Sequence, residues 1–185
     1  MKTLYLECNA GASGDMILGS LTDLLKDPFE FKQMIECAGI PGITAEVTVD
    51  DQSSVAGIRV HIMVDGIEEG SKEESGHHDH HALKDVISII GGLNVSDMVK
   101  SDAAQIYRII AEAESNVHGK PVNEVHFHEV GALDAIADIV GVCMLIEKLA
   151  PEQIIASPLR TGFGTVSCAH GILPVPAPAT ASNPQ

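Results

Sequence analysis

The densest group of potential metal ligands in this sequence lies between residues 125 and 138. If residues 124–128 are extended, the two histidines of this segment point to the same side of the chain, and Phe127 points to the other. After Gly131 the apolar spacing is helical, which puts two aspartates one turn apart near the start of a helix. Imidazole suits nickel, zinc, copper or iron and carboxylates suit harder ions, so the mixed set fits a transition metal or Mn(II). The predicted metal ligands are His126, His128, Asp134 and Asp138, with Glu129 beside them.

The same residue types also have an ordinary structural explanation. A histidine on a strand is often a surface residue, and aspartates near a helix N-terminus interact favourably with the helix dipole. Spacing alone does not separate this explanation from metal binding.

A second group of histidines lies in an acidic segment that is rich in glycine and serine, residues 65–81. This composition predicts a flexible loop rather than a strand. Four imidazoles within such a loop can capture Ni(II) or Zn(II) without a preformed pocket. The alternative is a solvated loop whose histidines titrate near neutral pH and bind metal only incidentally. The four histidines are His77, His78, His80 and His81.

A glycine-rich turn joins the first predicted strand to the first predicted helix. Gly11, Ser13 and Gly14 allow close backbone approach, and a helix N-terminus attracts an anion, so the turn is a candidate cofactor-binding loop. It contains neither G-K-[ST] nor G-x-G-x-x-G. The alternative is structural: the glycines form the turn, Ser13 caps the helix and Asp15 lies favourably in its first turn. Asp15 can instead point into a site.

His170 is the remaining histidine with a candidate role, since glycine and prolines flank it without burying it. It can act as a metal ligand or a proton carrier. Cys168 and His170 can together bind a soft metal, although a buried structural cysteine is more common. A Cys-His nucleophile would need a third, orienting group, which the sequence does not indicate. His61 and His118 are assigned structural roles.

The pattern of strands and helices predicts an α/β fold, a layered sandwich with a mixed sheet, helices packed on it and one antiparallel hairpin. The proline-rich residues 173–185 are predicted not to form a regular helix. The predicted strands cover residues 3–8, 44–49, 55–64, 153–156 and a stretch ending at 168. The predicted helices begin after Gly14, at Pro28, at Leu83, at Ser96 and at Leu133.

The composition predicts one folded domain in the cytoplasm. The 185 residues are 45% hydrophobic, which is enough for a sizeable core. A formal charge of -15 opposes binding to nucleic acid and anionic membranes and favours metal cations as partners. The four cysteines form no C-x-x-C pair, and no apolar run approaches the roughly 18 residues of a membrane span.

Three motifs resemble the nickel-insertion protein family of nickel-pincer nucleotide biosynthesis. They cover residues 5–16, 125–132 and 168–180, in the family's order. The resemblance implies a cyclometallase that places Ni(II) into pyridinium-3,5-bisthiocarboxylic acid mononucleotide, giving the cofactor of lactate racemase. It also implies use of CTP with Mn(II) or Mg(II). Where the family commonly has Phe-Ser-Gly-Ile, this chain has Asn9-Ala10-Gly11-Ala12, which leaves the glycine frame intact but weakens any role for the other side chains.

The resemblance also implies roles for individual residues. The family's His-x-His-Glu segment corresponds to His126, His128 and Glu129, and its histidine-rich loop, a nickel reservoir, corresponds to residues 77–81. Family members continue into a C-terminal nucleotide-binding domain. Residues 1–185 are therefore expected to be one N-terminal metal-handling domain that works with a C-terminal domain or companion chain, with a homo-oligomer left open.

Three functions are compared on this basis. The first is nickel insertion, with Asp15, Glu129 and His170 as the predicted catalytic residues. The second is a non-catalytic nickel-delivery module. The third is a metal-dependent hydrolase, which is weaker because no general base stands out among the carboxylates.

Overall fold

A computed structural model describes residues 1–50, 56–68, 81–127, 130–168 and 171–182. The strands are β1 (Thr3–Leu6), β2 (Ile43–Asp50), β3 (Gly57–Val64), β4 (Ile67–Glu68), β5 (Gln153–Ala156), β6 (Thr165–Cys168) and β7 (Gly171–Pro174). The helices are α1 (Gly14–Asp23), α2 (Glu30–Cys37), α3 (Leu83–Gly92), α4 (Asp97–His118), α5 (Leu133–Leu149) and α6 (Pro178–Ser182). No helix within these ranges is both long and apolar enough to span a membrane.

The strands form three small sheets in the described part of the chain. β1 and β5 pair in parallel, β2, β3 and β4 form an antiparallel sheet in that order, and β6 pairs with β7. The predicted hairpin is β2–β3, in register from Ile43 opposite Val64 to Asp50 opposite Gly57. The predicted α/β class with helices on strands is confirmed, and parallel and antiparallel pairs lie in separate sheets.

The core lies between the antiparallel sheet and the helices. α1 packs on β3 and α5, α2 packs on β2, and α4 packs on α3 and α5. The buried side chains are mostly aliphatic, as the low aromatic content requires. Burial and then the charge of Asp102 raise the pKa of the Cys143 thiol to about 11, so this cysteine is a core residue and not a reactive thiolate. The largest fully buried side chains include Tyr107, Phe31, Phe127, Leu18, Leu21, Ile35 and Ile136.

Helix boundaries follow the local signals in the sequence. Ser96 caps α4 by accepting a hydrogen bond from the Val99 N–H at 3.1 Å, and Gly119 ends α4 with a φ of 61°. His118 lies at this end, as predicted, and pairs with Glu114 at 3.3 Å. In helix α1, Met16 is exposed and the core contact falls on Leu18 and Leu21.

Two loop predictions are wrong. Residues 178–182 form α6 in the proline-rich tail, because Pro178 takes the first position of a helix, where no N–H is required. The Ala181 N–H donates to the Ala177 carbonyl at 2.9 Å, and α6 packs on α4. Ile67 and Glu68 form β4 in place of loop, since the turn at Asp65 and Gly66 has positive φ at both residues and folds the chain back on β3. Residues 69–80 of the predicted loop lie outside the described residues.

A glycine in α1 allows the closest approach of a helix to the antiparallel sheet. A Cβ at Gly19 would lie 2.6 Å from the carbonyl oxygen of Ile58, which is backbone and cannot move alone. We expect Gly19→Ala to lower the free energy of unfolding by about 1–3 kcal/mol, because α1 must shift away from β3. Denaturant unfolding followed by circular dichroism measures the change.

Gly91→Ala in α3 is the matched control, because a Cβ there meets nothing within 4 Å. It should leave stability unchanged or raise it by up to about 1 kcal/mol, since alanine is the better helix former. Equal stability of the two variants would contradict the proposed packing of α1.

Candidate metal centre

Within the predicted ligand segment, Gly131 lies directly against Phe127. Phe127 is buried, and its N–H donates to the His81 carbonyl at 3.1 Å. A Cβ at Gly131 would lie 2.7 Å from the Cβ of Phe127, so glycine is required for this approach. His126 is exposed, and it forms an isolated antiparallel bridge with Ala82. The predicted opposite orientation of His126 and Phe127 is confirmed.

In the predicted extended stretch, residues 124–128, Glu124 instead ends a 3-10 turn that begins at Val122. Val125 is extended, and His126 forms the bridge with Ala82. His128 and Glu129 lie outside the described residues.

The last residue of the histidine-rich segment lies beside the ligand segment. This residue, His81, accepts the hydrogen bond from Phe127, and the next residue, Ala82, pairs with His126. His77, His78 and His80 lie outside the described residues. His81 and His126, which are 45 positions apart in sequence, therefore lie on neighbouring stretches of backbone.

The two aspartates of the predicted ligand set lie in the first two turns of α5. Asp134 is in the first turn, where the helix dipole stabilises a carboxylate. Asp138 lies one turn later, and both are partly buried. Both carboxylates act on Tyr107 of α4: burial first, and then the charges of Asp134 and Asp138, raise the pKa of its phenol.

Tyr107 holds α4 to the chain just before α5. Its side chain is fully buried, and its hydroxyl donates to the Val130 carbonyl at 2.9 Å. Because the pKa is raised, the phenol stays protonated and keeps donating even at pH values where an exposed tyrosine ionises. Sequence analysis did not identify this residue. The available signal was a tyrosine on the apolar face of α4, since a buried tyrosine hydroxyl usually has a partner.

The N-terminus of α1 contacts α5 at Asp138. A Cβ at Gly14 would overlap the Asp138 carboxylate, so the glycine makes room for this side chain. The carboxylate thus lies at the positive end of the α1 dipole, which stabilises its charge. Ser13 occupies the N-cap position as predicted, but its side chain makes no capping bond and donates to the Asp15 carboxylate.

The rest of the glycine turn packs against the chain that follows β5. The N–H groups of Gly11 and Arg160 both donate to the Cys8 carbonyl, at 3.1 and 3.2 Å. A Cβ at Gly11 would lie 3.4 Å from the Arg160 carbonyl oxygen, and its φ of 92° also favours glycine. The turn therefore lies at the carboxyl end of the parallel pair, the edge at which α/β proteins commonly bind ligands.

The structure brings some of the predicted site residues together and not others. Gly14 contacts Asp138, and both aspartates of α5 lie near Tyr107. Within the described ranges, no three His, Cys, Asp or Glu side chains converge closely enough to hold a metal ion. His170 also lies outside these ranges. A complete ligand set stays a prediction that requires residues beyond the described ones.

Comparison with known proteins identifies the family. The family model described as nickel insertion protein matches residues 4–182. The chain is 44% identical over 186 residues to the pyridinium-3,5-bisthiocarboxylic acid mononucleotide nickel insertion protein of Clostridium kluyveri. It is 43% identical over 189 residues to the protein of that name from Lactiplantibacillus plantarum. No solved structure matches the chain.

The alignments cover 97% of this chain but only 46% and 45% of these two relatives. The chain therefore spans less than half the length of the curated relatives it matches. The match nevertheless includes the glycine turn, the ligand segment, α5 and the strands that follow it. This chain belongs to the nickel insertion protein family.

Proposed function

We propose that this chain is the nickel-handling part of a cyclometallase that inserts Ni(II) into pyridinium-3,5-bisthiocarboxylic acid mononucleotide. The observation that carries the proposal is the match over 97% of the chain to proteins named for that reaction. The product would be the nickel-pincer cofactor of lactate racemase. We place the reaction in the cytoplasm and in the lyase class.

We assign Ni(II) to the region between His126 and the N-terminus of α5, with His128, Asp134 and Asp138 as the further ligands. Imidazole and carboxylate donors together suit a transition metal of this kind. Support for Asp138 comes from its contact with Gly14, because a carboxylate held by packing and by a helix dipole is already oriented. Support for His126 comes from its exposure beside buried Phe127.

Formation of the metal–carbon bond requires a base, because a proton leaves the ring carbon as nickel binds there. We propose Asp15, Glu129 and His170 for this proton transfer. Asp15 is exposed in the first turn of α1, next to Gly14 and its contact with Asp138, so a substrate can reach it. A base must lie within hydrogen-bond reach of the proton that it accepts.

The glycine turn is poorly suited to binding the phosphates of a nucleoside triphosphate. A phosphate binds a helix N-terminus through the first-turn N–H groups. At α1 the Asp138 carboxylate already lies against Gly14 and would repel such a phosphate. We therefore assign CTP, with its Mn(II) or Mg(II), to the part of the family's length that this chain does not span. Gly11, Ser13 and Gly14 then serve to form the turn and to seat Asp138.

Nickel delivery by the histidine-rich segment is the second candidate function, and the His81 hydrogen bond favours it. An extended chain advances at most about 3.6 Å per residue, so His77 cannot lie more than about 14 Å from His81. A metal ion captured at His77, His78 or His80 would therefore be held near the ligand segment.

The first prediction for this function concerns His126. Because the histidine-rich segment binds nickel itself, the measurement uses a background in which His77, His78 and His80 are alanine. In that background we expect His126→Ala to weaken Ni(II) binding at least about tenfold, since an imidazole donor is lost. Isothermal titration calorimetry measures the affinity.

His118→Ala is the matched control, because His118 pairs with Glu114 at the end of α4 and is not among the predicted ligands. It should leave the nickel affinity unchanged. An unchanged affinity in His126→Ala would remove this residue from the ligand set.

A second prediction separates delivery from insertion. The full-length family protein with alanine at His77, His78 and His80 should insert nickel slowly when Ni(II) is limiting, because local capture is lost. At saturating Ni(II) its rate should equal that of the unmodified protein. A lower rate at saturating Ni(II) would show that these histidines take part in the insertion step.

A third prediction concerns Tyr107. Tyr107→Phe should lower the free energy of unfolding by about 1–2 kcal/mol at neutral pH, because the partly buried Val130 carbonyl loses its donor. Tyr5→Phe, at an exposed position, should change it little. Urea unfolding at pH 7 measures both.

The pH dependence of stability gives an independent check on Tyr107. Its pKa is raised in the folded protein, so the unfolded chain loses this proton first, and the stability contribution is complete only below about pH 10. The unmodified protein should lose stability as the pH rises above that value, and Tyr107→Phe should lose less. Parallel pH profiles for the two proteins would contradict the buried, protonated phenol.

A further inference from the structure

The parallel pair β1–β5 is uncovered, which is unusual for parallel strands. Parallel sheets normally have both faces buried. Here Tyr5, Ile154 and Ile155 are exposed by 57%, 47% and 42%, and no helix in the described part of the chain packs extensively on either strand. Leu4 alone connects this pair to the core from its inner side.

Exposure continues along the chain after β5. Leu159 and Val166 are about half exposed, and Phe163 is exposed by 95%. Ile172, on β7, is exposed by 75%. The β6–β7 hairpin contacts no other described element extensively, and a two-stranded hairpin is marginally stable by itself. A concentration of exposed apolar side chains of this kind marks an interaction surface.

We propose that this surface docks the part of the full-length family protein that this chain does not span. We name it the C-terminal apolar face, and it consists of Tyr5 and its neighbour Ile155 on the outer side of the strand pair, with Leu159, Phe163, Val166 and Ile172 in the chain that follows. We infer this occupant from the length of the relatives, because more than half of each relative lies outside the region aligned with this chain. In that longer protein the two parts share one polypeptide.

Strand direction favours this occupant over a second copy of the chain. A two-fold-related copy pairs the edge of β5 with itself, which makes the new pair antiparallel. A strand from elsewhere in the polypeptide can instead extend β1–β5 in parallel, the arrangement that this pair already has. Parallel sheets usually contain more than two strands and have helices on both faces.

Docking at this face would bring the occupant to the candidate metal centre. The carboxyl ends of β1 and β5 lead into the Gly11 turn and Arg160, which share the Cys8 carbonyl. Gly14, which follows this turn at the start of α1, contacts Asp138 of α5. The inference rests on the proposed function in one respect, which is the assignment of the nucleotide to the part of the family's length that this chain does not span. Docking at this face would then place the nucleotide beside the nickel ligands.

Hydrogen exchange tests the proposal in a full-length protein. The 185-residue chain replaces its aligned counterpart in the Lactiplantibacillus plantarum relative, and exchange at residues 153–156 and 159–166 is compared with that of the chain alone. We expect at least tenfold slower exchange in the full-length protein. Ile155→Glu combined with Phe163→Glu should abolish the difference.

Phe29→Glu combined with Val49→Glu is the matched control, because these side chains are exposed by 56% and 58% outside the face. It should preserve the slower exchange. Equal exchange in the full-length protein and the chain alone would overturn the proposal. Slow exchange in the chain alone that grows with concentration would also overturn it, since the occupant would then be a second copy. Nickel binding is measured separately, so loss of docking and loss of the proposed function are distinguishable.

Discussion

The contact between Gly14 and the Asp138 carboxylate is the constraint on which the candidate site depends. It joins the first residue of α1 to the second turn of α5, across most of the length of the chain. A side chain at this position would displace the carboxylate, which gains from the partial positive charge of the helix N-terminus. The turn resembles a phosphate-binding loop in outline, but the helix that follows it contacts a carboxylate of the protein itself.

Two further interactions hold the surrounding backbone. The Tyr107 hydroxyl ties α4 to Val130, and the Phe127 N–H ties the ligand segment to His81. Each is buried or flanked by buried side chains, so water competes weakly for it. Together they fix the backbone at Phe127 and at Val130, between His126 and α5. A metal-handling protein benefits from such an arrangement, because ligands that are already oriented lose less entropy on binding.

Local sequence signals predicted the elements of this fold but not the contacts between them. Ser96 and Gly119 mark the ends of α4, and the alternation in β2 and β3 predicts their hairpin. The contact of Gly14 with Asp138 joins residues far apart in sequence, and nothing near either residue signals it. The role of Tyr107 is not evident from the sequence, because a tyrosine among the apolar residues of a helix is equally typical of a core residue with no special contact. The α6 helix was missed because proline was read as a helix breaker, whereas Pro178 begins the helix.

A double-mutant cycle on Gly14 and Asp138 tests whether the N-terminus of α1 positions a nickel ligand, with Ni(II) affinity measured by calorimetry in the background that lacks His77, His78 and His80. We expect Gly14→Ala to displace the carboxylate and to weaken Ni(II) binding about as much as Asp138→Asn does. The double variant should bind Ni(II) no more weakly than either single one, because both changes remove the same ligand. Unchanged nickel affinity in Gly14→Ala, or losses that add in the double variant, would show that this contact does not position a nickel ligand.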